Sequence, residues 1–232
     1  MKKGIVITID GPSGAGKGTV ARELAKRLGL HYLDTGAMYR AVALSARRKG
    51  IDIDDDERLK AMLGSISIAI EQRGDGTQAV LLDGVEVTEE IRKPEIANLA
   101  SKVATKPFVR NFLVRLQREM ALQGGIVAEG RDMGTVVFPS ADFKFYLDAD
   151  LAERVRRRWL ELKAGGIEIG IAELTEQIAR RDEQDSKRGI SPLHPAEDAV
   201  IIDTTSISAN QVVEIIMNAI KRSRGERWEA GR

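Results

Sequence analysis

The sequence predicts an α/β fold: a five-stranded parallel sheet with helices on both faces, a small β-containing insert and a helical lid. Three observations carry this. Short apolar runs alternate with amphipathic stretches along most of the chain, the pattern of strands joined by crossover helices. The first apolar run, Ile5-Val6-Ile7-Thr8-Ile9, feeds a glycine-rich turn that opens into a helix. Between residues 64 and 104 the apolar period drops to two, and a two-residue turn signal appears.

Taken in order, residues 4–9 read as a central strand, apolar at nearly every position. Residues 19–28 form the first helix, stopped by Gly29, and 30–33 a short second strand. Asp34-Thr35-Gly36 is a turn with an N-cap, opening a helix that runs to about Arg48 and stops at Gly50. A short helix covers 54–63, with acidic residues in its first turn. In 65–70, Ile66, Ile68 and Ile70 share one face. Strands at 78–82 and 85–87 flank Asp83-Gly84, which favours a tight hairpin. Helical stretches follow at 89–91 and 94–103, with Pro94 suited to a first turn. A long helix at 107–122 ends at Gly124-Gly125. Strands are expected at 126–128, 143–147 and 199–202. The remaining helices are a basic one at 151–162, broken by Gly165-Gly166, one at 171–186 and one at 210–220. The charged tail from Lys221 to Arg232 reads as frayed.

The glycine-rich turn is Gly11-Pro12-Ser13-Gly14-Ala15-Gly16-Lys17-Gly18-Thr19. Strand, glycine turn and helix together are the context of a phosphate-binding P-loop. Glycines let successive N–H groups converge on one anion, and the helix adds its positive end. Lys17 would lie along the β- and γ-phosphates of a nucleoside triphosphate. The alternative is a turn that merely joins strand to helix. Gly18 stands where the Walker pattern has Ser or Thr, so the hydroxyl nearest a Mg²⁺ ion would be that of Thr19.

Composition bounds the partners. With 36 basic and 35 acidic residues the net charge is +1, which argues against a general nucleic-acid or membrane-surface binder. The absence of cysteine excludes disulfides, thiolate metal sites and a catalytic thiol. At 232 residues, 43% hydrophobic and 31% charged, the chain fits one soluble core with insertions. No apolar run approaches the roughly 20 residues that span a bilayer. With no leader pattern after Met-Lys-Lys, a cytoplasmic location is expected.

Ligands of parallel sheets sit beyond the strands' carboxyl ends. Three segments follow strands and should meet there: 11–19, 34–40 and 130–135. Thr35 and Arg40 could grip a second phosphate, or serve as a helix cap and a surface arginine. Arg131-Asp132 offers a fork-shaped cation and a carboxylate, or an ion pair closing a turn. Arg181, Asp182, Asp185 and Arg188 lie at helical spacings of three and four. They read either as a solvated salt-bridged face or as a mobile lid between Gly165-Gly166 and Gly189 whose arginines stabilise a transferring phosphoryl group. Of the basic cluster, Arg154 and Arg158 share a face, and most of it is expected to be solvated or to border the crevice. His31 and His194 are expected to be neither catalytic nor metal ligands. Trp159 and Trp228 are too isolated to form a nucleic-acid stacking platform.

GPSGAGKGT, DTGAMYR, the hairpin insert, EGRDMGTVVFP and RRDEQDSKR, in this order, resemble bacterial cytidylate (CMP) kinases, P-loop nucleoside monophosphate (NMP) kinases, from Ile5 to about Ile220. The resemblance implies a P-loop kinase core over residues 1–63 and 105–232, with a lid at about 165–189 and an NMP-binding insert at 64–104. It implies transfer of the γ-phosphoryl of ATP to CMP or dCMP with Mg²⁺, held mainly through the nucleotide phosphates, by a protein expected to be monomeric. Ser101, Arg110 and Asp132 match cytosine-contacting positions. Thr35, Arg40, Arg92 and Arg131 match positions near the acceptor phosphate. Arg181 and Asp185 match positions near the sugar, and Arg188 a lid arginine reaching the phosphates. Lys17, Arg131, Arg181 and Arg188 would carry the catalysis. No general base is required, because the attacking phosphate oxygen is already ionised. What is required is charge neutralisation and in-line placement.

Three rivals are weighed. A GTPase would need an N/T-K-x-D segment, and Thr105-Lys106-Pro107-Phe108 lacks the aspartate. A kinase of another small metabolite, such as shikimate or gluconate, would not need this insert. A non-catalytic P-loop nucleotide switch would show no turnover.

Overall fold

The computed structural model describes residues 4–122 and 125–229, with 224–229 as backbone alone. Five parallel strands form the central sheet: β1 (Val6–Asp10), β2 (His31–Asp34), β6 (Ile126–Gly130), β7 (Phe143–Asp148) and β8 (Val200–Asp203), in the order β2-β6-β1-β7-β8. Registers such as Ile7 against Val127 and Phe143, and Tyr32 against Val127, fix β1 at the centre. Its position follows from its side chains: Ile7 and Ile9 are fully buried on one face, and Thr8 on the other.

Alternation along the strands splits the core in two. On one side Ile7, Ile9, Val127, Phe145 and Leu147 pack with α1 (Lys17–Leu28) and α8 (Ala209–Glu229) through Val20, Leu24, Val213 and Ile216. On the other, Leu33, Ile126 and Ala128 meet Met38 and Leu44 of α2 (Thr35–Arg48) and Leu113 of α5 (Pro107–Ala121). A third, smaller cluster of Val155, Leu162, Leu174 and Ile178 joins α6 (Leu151–Ala164) to α7 (Ile171–Lys187). That hairpin therefore packs chiefly on itself.

Local chemistry sets the ends. Asp34 Oδ1 accepts from Ala37 N at 2.9 Å and caps α2. Asp55 caps α3 (Asp56–Leu63) in the same way through Arg58 N. Pro94 and Pro107 open α4 (Pro94–Val103) and α5, where a missing N–H costs nothing. Asp83 and Gly84, both at positive φ (52° and 78°), turn β4 (Gln78–Leu82) into β5 (Val85–Glu86). These two and β3 (Ile68–Gln72) form an antiparallel sheet. Its Ile68, Val80 and Leu82 belong to the same cluster as Met38, so residues 64–104 share the main core. Two glutamines tie it to the free edge of β2: Gln72 bonds both N and O of Tyr32, and Gln78 Oε1 accepts from Asp34 N at 3.0 Å.

Four differences from the sequence reading stand out. Helix α1 starts at Lys17 rather than at residue 19, because Gly16 at φ 87° serves as its N-cap. Strand β6 runs on through Gly130. A π-helical turn, Met133–Val137, follows it and was not expected. The C-terminal segment read as frayed from Lys221 continues α8 to Glu229. Its charged residues are good helix formers, and charge marks solvent exposure rather than a loop. Gly124, half of the expected stop of α5, lies outside the described residues. Among the described residues, no helix is long and apolar enough to cross a membrane.

Gly11 joins β1 to the phosphate loop at φ +146°, where a Cβ would sit 2.0 Å from the Leu147 carbonyl oxygen. Gly29, at φ +64°, faces open space. Urea unfolding should separate them. Gly11→Ala should lose at least about 3 kcal/mol or fail to accumulate folded, while Gly29→Ala should lose only about 1 kcal/mol. Equal losses would place Gly11 in a looser junction than described.

Candidate active site

The carboxyl ends of β1, β2 and β6 open onto one crevice of about 510 Å³. All three segments expected to converge line it: the glycine turn, the start of α2, and the stretch after β6. The loop between β1 and α1 directs carbonyls away from the crevice centre. Pro12 O accepts from Lys17 Nζ at 2.7 Å, Ser13 O from Arg154 Nη1 at 3.2 Å, and Ala15 O from Thr204 Oγ1 at 3.2 Å. With its carbonyls anchored and α1 beginning at Lys17, the loop presents N–H groups at a helix N-terminus, where an anion is favoured.

Lys17 is only 5% exposed. Burial first, and the neighbouring Arg131 next, push its ammonium down to about 7. Arg181 is likewise pushed down to about 10 by burial and Arg131, and Arg188 is lowered by burial and Arg110. These shifts share burial as their largest cause and a neighbouring arginine as the next. The carboxylates present are already engaged. Asp185 accepts from Arg131 Nε at 2.8 Å and lies 3.8 Å from Arg188. Burial alone would raise its carboxyl, but Arg131 and Arg181 hold it below the usual range. Asp132, 3% exposed, pairs closely with Arg110 and lies 3.9 Å from Arg188. Arg40 pairs with Asp34 at 2.7 Å.

Most of the expected residues therefore meet in one place, with revised partners. Arg131 and Asp132 do not close a turn on each other: one reaches α7 and the other α5. The residues Arg181, Asp182, Asp185 and Arg188 are not a solvated face, since Asp185 is buried and Asp182 pairs with Arg154. Arg154 is itself 8% exposed, so it is a strut between the P-loop and α7 rather than a solvated cation. Thr35, 2% exposed, donates its hydroxyl proton to Glu129 O at 2.7 Å, so it braces the wall on which Arg40 sits. Arg92 stands at the mouth with a mostly exposed side chain, 4.0 Å from Glu89. Ser101 lines the far wall and hydrogen-bonds Gln184 of α7. Thr19 is exposed at the rim. His31 and His194 are exposed, and neither lines the crevice.

Three further residues belong to the site and were missed. Asp10, 4% exposed, accepts from Met133 N and Gly134 N, both at 2.8 Å. It thereby satisfies the first two N–H groups of the π-helical turn and fixes the position of Asp132 just before it. Burial raises its carboxyl to about 6, against the lowering effect of those two bonds. Glu129 faces Gly18 across the crevice floor and accepts from Tyr32 Oη at 3.2 Å. Burial, then Asp34, push its carboxyl up. Tyr39 lines the crevice beneath the Arg110 guanidinium, 5.7 Å from its ring centre. Among the described residues, no group of three or more His, Cys, Asp or Glu side chains could hold a metal by itself.

A family model for cytidylate kinase matches residues 7–222. A cytidylate kinase of Geobacter sulfurreducens is 49% identical over 223 residues, covering 96% of this chain and 95% of that protein. One of Syntrophotalea carbinolica is 48% identical over 220 residues, covering 95% and 93%. Among solved structures, a gluconokinase from Sinorhizobium meliloti superposes with a TM-score of 0.51 over the full length of both chains at 13% identity, a likeness of fold alone. The family model runs from β1 into α8, and the relatives are near half-identical along almost their whole length, so the chain belongs to the cytidylate kinase family.

Proposed function

We propose that the crevice transfers the γ-phosphoryl group of ATP to CMP or dCMP, giving ADP and CDP or dCDP. As a member of its family the chain is a phosphotransferase. The observation that carries the detailed reading is the polarity of the crevice. Contacts run from a first end, where Lys17 of the P-loop stands beside Arg131, through Asp185 and Arg188 to a second end, where Asp132 pairs with Arg110. Arg181 and Ser101 line the same crevice, and Ser101 is assigned to the second end. The triphosphate occupies the first end and the base the second, so the two polyanionic groups meet among the arginines.

The step is an in-line displacement. An oxygen of the monophosphate attacks the γ-phosphorus and the β–γ bridging oxygen leaves with the bond's electron pair. No proton needs to move at neutral pH. The protein contributes position and charge stabilisation. Lys17 and Arg131 face the transferring group, with Arg181 and Arg188 approaching from α7. Arg40 and Arg92 hold the acceptor phosphate, with Thr35 bracing that wall. Asp185 keeps Arg131 extended toward the phosphates and, with Arg181, flanks the sugar. Mg²⁺, when bound, would supply charge neutralisation on the phosphates. Among the described residues no three-carboxylate cluster is present, a donor set that fits an ion taking most of its oxygens from phosphate and water. Thr19 is the side chain that would reach such an ion. Residues 64–104 act as the monophosphate-binding insert on a core of 1–63 and 105–232, and residues from about 165 to 189 act as the lid. Leu174 and Ile178 of the lid pack on Val155 and Leu162 of α6 rather than on the sheet, which supports movement of the lid against α6. The near-balanced charge supports a small-molecule rather than a nucleic-acid partner, in a cytoplasmic monomer.

Three outcomes test this. Lys17→Ala should lower kcat at least about a hundredfold, the scale of losing one preorganised electrostatic contact, with an unchanged circular-dichroism spectrum. Near-normal turnover in the folded variant would remove Lys17 from the chemistry. The second concerns protons. With its ammonium held near 7, Lys17 is mostly neutral at pH 8 in the free protein. A triphosphate beside it favours the charged form, so ATP binding should take up about one proton at pH 8 and tighten as pH falls from 9 to 7. Calorimetry in buffers of different ionisation enthalpy reads this uptake. No uptake, or the same uptake in Lys17→Met, would contradict it. The third concerns the base. Cytosine offers an exocyclic amino donor where uracil has an oxygen, and a carboxylate only accepts. Asp132→Asn should lower the ratio of kcat/KM for CMP over UMP, mostly through loss with CMP, by the equivalent of about 2–4 kcal/mol. An unchanged ratio would leave Asp132 as a holder of Arg110.

A further inference from the structure

We propose that Gln184 decides which pyrimidine is accepted, by fixing the direction of the Ser101 hydroxyl. This rests on the reading above that Ser101 faces the base. Gln184 is on α7 and Ser101 on α4, 83 residues apart in sequence, and their side chains meet across the crevice wall. Two hydrogen bonds join them. Gln184 Nε2 donates to the backbone O of Ser101 at 3.1 Å, and Ser101 Oγ donates to Gln184 Oε1 at 3.1 Å.

The direction of the second bond is forced by the first. A backbone carbonyl only accepts, so the amide must turn its nitrogen to Ser101 O. Its oxygen then faces Ser101 Oγ, and two oxygens can share that contact only if the hydroxyl donates. A hydroxyl has one proton. With that proton spent on Gln184, the part of Ser101 that lines the crevice shows lone pairs alone. Ser101 becomes an acceptor-only group, as the Asp132 carboxylate already is.

Cytosine brings a two-proton amino group to such a surface; uracil brings an oxygen that meets lone pairs. Without Gln184 the hydroxyl is free to rotate and donate to uracil. Gln184 is not among the residues lining the crevice, so it acts as a positioning residue through Ser101. Its neighbours fit this placement. Asp182 and Asp185 pair with Arg154 and Arg131, so the helix that carries Gln184 is held at two points that flank it in sequence.

The test is a double-mutant cycle read as the ratio of kcat/KM for CMP over UMP. Gln184→Leu should lower the ratio about tenfold, chiefly by raising activity on UMP, the scale of one mismatched polar contact relieved. Gln184→Ala should do the same, which guards against a misfolded leucine variant. Ser101→Ala should also lower the ratio, and in that background Gln184→Leu should change it no further. A merely structural role would slow both substrates alike and leave the ratio where it was. If Ser101→Ala lowers the ratio and Gln184→Leu and Gln184→Ala do not, the inference fails while base reading by Ser101 stands. If Ser101→Ala leaves the ratio unchanged, the base assignment itself fails. If Gln184→Leu acts equally with and without the serine hydroxyl, Gln184 works by another route and the proposal is overturned.

Discussion

Lys17 is buried, with Arg131 beside it, and the cost of charging its amine there is the constraint around which the site is arranged. A cation taken out of water is tolerated only beside an anion or an oriented dipole. Here the dipole is the Pro12 carbonyl, and the nearest carboxylates, Glu129 and Asp10, are themselves raised by burial. The free protein thus holds a charge imbalance that a triphosphate and a monophosphate would relieve. This is preorganisation: the unfavourable crowding is built when the chain folds, not when the substrates meet.

Holding that crowd in place falls to residues that touch no phosphate in this scheme. Asp10 ties the end of β1 to the π-helical turn after β6, so the loop after β1 and Asp132 hang from one carboxylate. Arg154 reaches from α6 to Ser13 O and to Asp182, joining the loop to α7. Along α7, Asp182, Gln184 and Asp185 each engage a different part of the crevice: α6, α4 and the turn after β6. Because α6 and α7 share little core with the sheet, these polar links set the position of the hairpin. Polar links exchange with water and phosphate at far lower cost than a packed apolar face.

What the sequence made legible was local. The glycine turn, the prolines at two helix starts, the Asp83-Gly84 hairpin and the alternation of strands and helices each follow from short-range chemistry. Their positions agree with the structure to within a few residues. The convergence of three strand ends on one crevice followed from topology alone. Asp10 was not legible as functional, because it looks like the polar end of an apolar strand. Its partners are backbone N–H groups 123 and 124 residues away, on a turn that no periodicity signals. The basic cluster with Arg154 was expected to be mostly solvated or to border the crevice; the burial of Arg154 depends on where α6 meets the P-loop. Gln184 drew no separate reading, since a glutamine between charges carries no local signal of a partner 83 residues away. The tail misled in the opposite sense, since its charged, glycine-containing sequence was read as frayed although α8 continues to Glu229; residues 230–232 lie outside the described residues. In each miss, tertiary placement or backbone preference outweighed the residue's usual habit.

Recognition and selection ask different things of the two ends. Charge-assisted bonds from several arginines to a phosphate are strong, and every nucleoside monophosphate has the same phosphate. A crevice that binds mainly through that end is indifferent to the base. Selectivity must then come from groups that the wrong base leaves unsatisfied, and a buried polar mismatch is the strongest such device available to a small pocket. An acceptor surface is the economical form against uracil, but a lone carboxylate there would be a buried, unpaired charge. Arg110 and Arg188 supply the pairing for Asp132 without changing what its remaining lone pairs present. Arg188 also reaches Asp185, which pairs with Arg131. The same guanidinium therefore sits between the Asp132–Arg110 pair and the Asp185–Arg131 pair, so the polar groups of the two ends form one connected set.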